Sequence, residues 1–386
     1  MPIANGFLTA DQFDDEYFFE LAPAFCSSCD MVQIMVQPEP DRMFHDNYAY
    51  FASTSVFMTE HFRKLAERVT SHYLGDDPFV IEIGSNDGIM LQNFASAGIR
   101  HLGIEPSANV AEAARKKGVE TTCSFFGRSL AEEIVEKHGQ ADVFLGANVM
   151  CHIPDLHSVF GGVELLLKPE GVMIFEDPYL GDVIEKTSYD QIYDEHVYVF
   201  SAMAIANVAG RHGLELIDLE PLSTHGGSMR YFIGRRGRHV PTDVVAKQLD
   251  KEAALGLNQP ETFESFKSDC ERSRHDLVAM LEKLRGDGAR VVGYGATSKS
   301  TTVMNYCGIT PEHIEFISDT TPTKQGKLTP GTHIPVKPYA AFQENYPDYA
   351  LLFAWNHKAE IMAKEHEFLS QGGQWITYVP AVEVFK

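Results

Sequence analysis

The chain has 386 residues, of which 44% are hydrophobic and 22% are charged, a composition typical of a folded protein and not of a disordered or fibrous one. At roughly 150 residues per domain, this length predicts two or three domains. The 54 acidic and 32 basic side chains give a net charge of -22, which would repel a nucleic-acid backbone, so we expect no nucleic-acid partner.

Membrane and disulfide-rich classes are also disfavoured by the sequence. No apolar run approaches the roughly 20 residues needed to cross a bilayer, and the first residues lack the pattern of a signal peptide. We therefore expect no membrane partner and a cytoplasmic location. Six cysteines in this length do not form a disulfide framework, which is typical of a reducing compartment.

Taken in chain order, the elements begin with a small lobe that is rich in aromatic and acidic residues. Between Val56 and Tyr73, apolar side chains recur every three or four residues, which predicts a helix. Short apolar strands then alternate with helical segments, which predicts a parallel α/β sheet. After a charged helical stretch, a second alternating set begins. We therefore predict three domains, at residues 1–55, 56–235 and 236–386.

A glycine-rich turn follows the first predicted strand, in the segment VIEIGSNDG. Gly84 and Gly88 allow the backbone to approach a ligand closely. Glu105 ends the next strand, where its carboxylate can accept both hydroxyl groups of a ribose. The E-x-G-x-x-x-G spacing from Glu82 matches the S-adenosylmethionine-binding turn of class I methyltransferases. With Asn148 after the third strand, these residues predict a cofactor site, and the alternative is a tight structural turn.

A cluster of titratable and aromatic residues follows the strand GVMIFEDP, in the segment YDQIYDEHVYVFS. Ligand sites in α/β proteins collect at the carboxyl ends of strands, where this segment lies. The imidazole of His196 beside carboxylates suits a general base. An isolated histidine is more often a satisfied surface residue, but Tyr193 and Glu195 on the same motif favour catalysis.

Two further turns offer groups that suit a phosphate. In the segment THGGSMR, His225 lies beside two glycines, and Arg230 carries a planar fork of donors. In the segment GYGATSKST, Lys299 opens a predicted helix whose N–H groups also suit an anion. The alternatives are a hairpin turn with an exposed arginine and a purely structural turn, because this segment matches neither the G-x-G-x-x-G nor the Walker spacing.

Cys26 and Cys29 form half of the ligand set that a structural tetrahedral zinc site requires. No second CxxC pair is present in the sequence. His45 is a speculative further ligand. Zinc is therefore an uncertain cofactor, and an incomplete site is at least as good an interpretation.

The motifs in this order resemble the sugar C-methyltransferases of antibiotic deoxysugar pathways, which act on dTDP-linked 4-keto-6-deoxyhexoses. The resemblance spans nearly the whole chain. Its more specific segments are HGGSMRY, GYGATSKSTTVMNYCGI, DTTPTKQGKLTPGTHIPV and LLFAWNHKAEIM, and further matches are PIANGFL, CSSCDMVQ, YAYFASTS, IEIGSNDG, ANVMCHIPDL and YDQIYDEHVYVFS. It implies a class I methyltransferase domain between a small zinc-type lobe and a C-terminal Rossmann-like domain that helps to hold the nucleotide sugar. Family members usually carry another CxxC pair before the PIANGFL-like segment, which here directly follows Met1.

The resemblance also implies roles for individual residues. His196 matches the base that removes a proton beside the C4 ketone, and Tyr193 and Glu195 orient it or bond the enolate oxygen. Tyr48 and Tyr50 match an aromatic segment that closes over the pocket, although core packing explains two tyrosines equally well. We expect methylation at C3, with C5 as the near alternative. The oligomeric state is not predicted.

Two rival functions belong to other classes. The first is an NAD-linked nucleotide-sugar oxidoreductase, which would use the C-terminal glycine turn and an acidic residue about twenty positions later, near Asp319. The second is a noncatalytic nucleotide-sugar-binding protein, which would leave the YDEH cluster without a role.

Overall fold

The computed structural model describes residues 1–39, 43 and 52–386, and within them the strands form three β-sheets. The smallest sheet is antiparallel, in the order β1-β2-β8. It joins a hairpin from the start of the chain to a strand just after the YDEH motif. Its strands are β1 (Pro23–Cys26), β2 (Met31–Ile34) and β8 (Tyr198–Val199).

The central sheet has seven strands, namely β3 (Phe79–Ile83), β4 (Arg100–Ile104), β5 (Thr121–Thr122), β6 (Ala141–Ala147), β7 (Leu167–Pro178), β9 (Leu214–Leu222) and β10 (Ser228–Arg235). Their order is β5-β4-β3-β6-β7-β10-β9, and β10 is antiparallel to both of its neighbours. The other neighbouring pairs are parallel. This order, with one reversed strand, is the class I methyltransferase fold and confirms the predicted fold class.

The third sheet lies at the C-terminus in the Rossmann-like order β13-β12-β11-β14-β15-β16. All its neighbouring pairs are parallel except the last, which is antiparallel. Its strands are β11 (Val291–Tyr294), β12 (Ile317–Asp319), β13 (Val336–Pro338), β14 (Tyr349–Leu352), β15 (Gln374–Thr377) and β16 (Glu383–Phe385).

Thirteen helices lie in the described ranges, and α1 shows how the sequence produces them. Its buried side chains include Met58, Phe62, Leu65 and Val69, which share one face and pack on the central sheet. The hydroxyl of Ser55 accepts the N–H of Met58 and so caps the first turn. The helices are α1 (Val56–His72), α2 (Leu91–Ser96), α3 (Ala108–Lys116), α4 (Arg128–His138), α5 (Leu156–Leu166), α6 (Leu180–Glu185), α7 (Ala202–Gly210), α8 (Asp243–Ala254), α9 (Pro260–Gly286), α10 (Ser298–Cys307), α11 (Tyr339–Glu344), α12 (Lys358–Lys364) and α13 (His366–Ser370).

The first residues of the chain extend away from the β1–β2 hairpin and pack on the C-terminal part. Leu8 forms a bridge with Leu328, and the carboxylate of Glu16 accepts the N–H of Gly331 at 2.6 Å. The predicted domain boundaries stay predictions. In the part of the chain that the structure describes, no helix combines the length and apolarity that a bilayer span requires.

Candidate active site

The turn after β3 forms a cradle in which side chains are excluded. Gly84 adopts φ 61°, in the left-handed region, and an added Cβ would lie 2.5 Å from the side chain of Val149. Gly88 is also left-handed, at φ 78°. Asn148, at φ 52°, donates its backbone N–H to the carbonyl of Glu176 at 2.7 Å. The ends of β3 and β6 therefore meet at one edge of the sheet, as ligand sites of this fold require.

The carboxylate of Glu105 supports this turn from the end of β4. It accepts the backbone N–H of Asn86 at 3.0 Å and that of Ser107 at 2.9 Å. Burial raises the pKa of Glu105. A carboxylate has about four acceptor positions, so two remain for ribose hydroxyl groups. The geometry is consistent with the predicted role, which stays a prediction.

A second buried carboxylate lies beneath the turn. Glu82 is 3% exposed, and its Oε2 has no hydrogen-bond partner among the described residues. Burial, with the nearby Glu105, raises the pKa of Glu82 well above its usual range. The unpartnered oxygen of Glu82, beneath a glycine turn, fits the polar end of S-adenosylmethionine.

The segment just before α1 covers the same turn. The side-chain oxygen of Asn86 accepts the N–H of Ala52 at 2.9 Å, and Asp87 accepts the hydroxyl of Ser53. Lys117 also donates to Asp87 at 2.9 Å. The predicted Tyr48 and Tyr50 lie outside the described residues, in the stretch that leads into this cover.

The imidazole of His196 has a defined tautomer. Its Nδ1 lies 2.7 Å from the carbonyl oxygen of Gln191, which only accepts, so Nδ1 carries the proton. Nε2 lies 2.7 Å from the hydroxyl of Tyr193 and therefore accepts from it. Burial and the neighbouring His152 lower the pKa of His196 well below its usual range. The neutral ring thus presents Nε2 as a proton acceptor.

His152 and Cys151 join this cluster and were not singled out from the sequence as site residues. The His152 ring lies 5.3 Å from the His196 ring, centroid to centroid. Cys151 Sγ and one nitrogen of each ring lie within 4.8 Å of one another. Burial lowers the pKa of His152 to about 4. Their position after β6 was the available signal, because the ends of neighbouring parallel strands meet.

Two buried carboxylates precede His196 in the motif. Asp194 accepts the backbone N–H of Ala4 at 3.0 Å, and Glu195 accepts the side-chain amide of Asn5 at 2.9 Å. Burial and the adjacent Glu195 raise the pKa of Asp194 to about 7. The first residues of the chain therefore form one wall of the candidate active site, a contribution that the sequence interpretation missed.

The predicted Lys299 and His225 meet where the central and C-terminal parts contact. Lys299 is 9% exposed, and its ammonium donates to the carbonyl of His225 at 2.9 Å. Burial lowers the pKa of Lys299. Nearby, the buried carboxylate of Asp190 accepts the indole N–H of Trp355 at 2.6 Å and the hydroxyl of Tyr378 at 2.7 Å. These bonds connect the central and C-terminal parts beside the YDEH motif.

Arg230 lies elsewhere, inside β10. Its guanidinium donates to Glu176 at 3.0 Å and to Glu220 at 2.7 Å, and it is 5% exposed. Among the described residues it makes no hydrogen bond to His225 or Lys299, although its partner Glu176 is one of the charged neighbours that act on the pKa of His225. Because two carboxylates already take its donors, a role in substrate binding stays a prediction without support from its contacts.

Cys26 and Cys29 lie at the tip of the β1–β2 hairpin. In the part of the chain that the structure describes, no further His, Cys, Asp or Glu completes a group of three ligand atoms around them. A structural zinc site takes four ligands. The described residues therefore supply two of the four ligands, and His45 lies outside the described residues.

Family models match three segments of the chain. The description "Methyltransferase domain" matches residues 57–219, and "C-methyltransferase C-terminal domain" matches residues 223–380. The description "Putative zinc binding domain" matches residues 1–44.

Individual proteins resemble the chain over different lengths. C-methyltransferase NovU of Streptomyces niveus is 35% identical over 386 residues, which cover 99% of this chain and 92% of that protein. An ubiquinone biosynthesis O-methyltransferase of Colwellia psychrerythraea is 26% identical, over 42% of this chain and 71% of that protein. Magnesium protoporphyrin IX methyltransferase from Synechocystis, solved with bound S-adenosylmethionine, covers 50% of this chain and 88% of its own, with 15% identity and a TM-score of 0.35.

Proposed function

We propose that this chain, which belongs to the family of S-adenosylmethionine-dependent C-methyltransferases, methylates carbon 3 of a dTDP-linked 4-keto-6-deoxysugar. The observation that carries this proposal is the neutral, buried His196, whose Nε2 is fixed as an acceptor beside Tyr193. C-methylation needs a base because a carbon–hydrogen bond must break, and this cluster suits that step. The sugar itself comes from the sequence resemblance.

The proposed reaction begins with proton removal by His196. Nε2 takes the proton from the carbon beside the C4 ketone, and the electron pair of that bond moves into an enolate. The imidazolium that forms keeps its Nδ1–H bond to Gln191. When bound, S-adenosylmethionine would supply an electrophilic methyl group to the nucleophilic carbon, with the methyl–sulfur bond broken and S-adenosylhomocysteine as the leaving group. His196 then returns its proton to solvent.

Tyr193 and Glu195 complete the proposed catalytic set. The Tyr193 hydroxyl already donates to Nε2 of His196, so the substrate must either displace it or receive its hydrogen bond at the enolate oxygen. A preorganised donor of this kind contributes about 3 kcal/mol to stabilising the transition state. The Glu195 carboxylate accepts the side-chain amide of Asn5 and, in this proposal, orients the motif. For the cofactor we propose the turn from Glu82 to Gly88, with Glu105 on the ribose and Asn148 beside it.

The nucleotide part of the substrate is proposed to bind at the C-terminal turn near Lys299 and His225. The oxidoreductase alternative is not retained, because the family is that of C-methyltransferases. The noncatalytic alternative is wrong for the same reason.

The test is hydrogen exchange at the sugar ring. With S-adenosylhomocysteine in heavy water, the protein should introduce deuterium into dTDP-4-keto-6-deoxyglucose at one carbon, which NMR assigns to C3 or C5. His196→Gln keeps much of the shape and removes the titratable nitrogen. We expect this variant to bind both ligands and to lose exchange and methyl transfer. Exchange at the wild-type rate would falsify the base assignment, and a methyl group found on oxygen would contradict the proposed substrate position.

A further inference from the structure

Asn5 connects three parts of the chain that are far apart in sequence. Its amide nitrogen donates to the Glu195 carboxylate at 2.9 Å and to the Ser298 hydroxyl at 2.8 Å. Its amide oxygen accepts from the ammonium of Lys324 at 3.4 Å. A side-chain amide offers two donors and acceptor capacity at once, so it is suited to this junction.

The backbone around Asn5 is fixed from two sides. The N–H of Ala4 donates to Asp194 in the catalytic motif, and the carbonyl of Ala4 accepts the hydroxyl of Thr301 on α10 at 2.8 Å. The Asn5 side chain itself is exposed.

The junction favours the charged form of Glu195. The side chain is 6% exposed, and burial raises the pKa of Glu195, whereas Asn5 and Lys324 act in the opposite direction. Lys324 is held in place by a bond to the carbonyl of Ala296 at 2.8 Å, within the C-terminal glycine turn. The groups that favour the Glu195 carboxylate thus come from the first and last parts of the chain.

We infer that Asn5 is a positioning residue, which fixes the carboxylate of Glu195, the residue that precedes His196 in the proposed catalytic motif, and connects it to the C-terminal turn at Ser298. This inference rests on the proposed function, because Glu195 acts in it. The Asn5 amide orients a group of the catalytic motif and does not itself take part in proton transfer. Its loss should therefore slow the chemical step and leave cofactor affinity unchanged.

A double-mutant cycle tests the inference on the full chain. The variants are Asn5→Ala, Glu195→Gln and the two combined, and the readouts are kcat for methyl transfer and deuterium uptake by dTDP-4-keto-6-deoxyglucose. We expect Asn5→Ala to lower both rates about tenfold. In the Glu195→Gln background the same change should cost only about threefold, because a neutral amide oxygen accepts a weaker hydrogen bond from Asn5 than a carboxylate does. A merely structural role would give the same factor in both backgrounds.

Gln12→Ala is the matched control, because Gln12 lies in the same segment and its side chain bonds Thr9. Gln12→Ala should leave both rates unchanged. Asn5→Ala should leave the affinity for S-adenosylhomocysteine unchanged. Additive effects in the cycle, or a wild-type rate in Asn5→Ala, overturn the inference. If the wild-type protein itself introduces no deuterium and transfers no methyl group, the proposed function fails instead.

Discussion

The carbonyl of Gln191 determines which nitrogen of His196 is free. A carbonyl oxygen only accepts, so its 2.7 Å contact holds the proton on Nδ1 and leaves Nε2 as the acceptor. Glu105 acts in a similar way at the turn after β3, because its carboxylate accepts two backbone N–H groups and so fixes the turn before any ligand binds. In both cases a backbone contact prepares a side chain for its proposed role.

Glu105→Ala should weaken binding of S-adenosylhomocysteine. Both the ribose bonds and the support of the turn disappear, and bonds to a charged group are worth roughly 1.5 to 3 kcal/mol, or about ten- to hundredfold in affinity. Isothermal titration calorimetry measures the change. The control is Glu112→Ala, on the exposed surface of α3, which should bind normally. Equal affinities for the two variants would remove Glu105 from the cofactor site.

Asp177→Asn should change how stability depends on pH. Burial raises the pKa of Asp177 to about 8, whereas an unfolded aspartate has a pKa near 3.9. Between these values the unfolded state releases a proton that the folded state keeps, so this residue lowers stability by up to about 1.4 kcal/mol for each pH unit from pH 4 to 8. The variant lacks this dependence.

Thermal melts from pH 5 to pH 8 test the sign of this effect. The Tm of Asp177→Asn minus the Tm of wild type should increase by at least about 2 °C from pH 5 to pH 8. Asp76→Asn, at an exposed position, serves as the control and should follow wild type throughout. A Tm difference that stays constant from pH 5 to pH 8 would show that Asp177 is already ionised in the folded protein.

Residue identity alone predicted some of the candidate site and not the rest. The YDEH motif is contiguous, so its side chains were found together. The contacts of Arg230 with Glu176 and Glu220 could not be predicted, because they depend on the register of β10 against β7 and β9. Asn5 was missed for a similar reason, since 190 residues separate it from Glu195.

At the scale of elements, the turn between β3 and α2 carries a sharp prediction. Gly84 and Gly98 have similar left-handed backbones, at φ 61° and 69°, but an added Cβ meets Val149 at 2.5 Å in the first case and nothing within 4 Å in the second. Gly84→Ala should therefore lose affinity for S-adenosylhomocysteine, whereas Gly98→Ala should lose only about 1 kcal/mol of stability.

Calorimetry together with thermal melts separates the two effects. Because backbone strain is common to both variants, any difference between them reports the collision with Val149. An equal loss of cofactor affinity in both variants would contradict the proposal that the turn at Gly84 binds the cofactor.

The alternation of strands and helices predicted most of the central sheet, because apolar runs bounded by turns identify buried parallel strands. The helix predicted from Val56 to Tyr73 corresponds to α1. The pairing of β2 with β8 was not predictable, since two short strands from distant segments carry no local signal. Likewise, β5 has only two residues, too few for a periodic pattern.

At the scale of the whole molecule, we expect the N-terminal hairpin to be stable without a bound metal ion. It pairs with β8 through Val32 and Val199, and the Phe25 ring stacks on Phe263 at 4.5 Å. We expect treatment with EDTA to change Tm by less than about 2 °C, because packing of this kind supplies the stability without metal. Elemental analysis should find well under one zinc per chain. A stoichiometric zinc whose removal lowers Tm would contradict this prediction.

The contact between Asp190 and Trp355 has an optical consequence. The chain has two tryptophans, and Trp375 is fully buried in the C-terminal core. Trp355 instead lies at the junction, with the Lys299 ammonium 4.9 Å from its ring centroid. A nearby charge shifts indole emission, so any change in the spacing of the central and C-terminal parts alters the fluorescence of Trp355 against a constant background from Trp375. The unlabelled enzyme thus carries its own reporter of movement between the central and C-terminal parts.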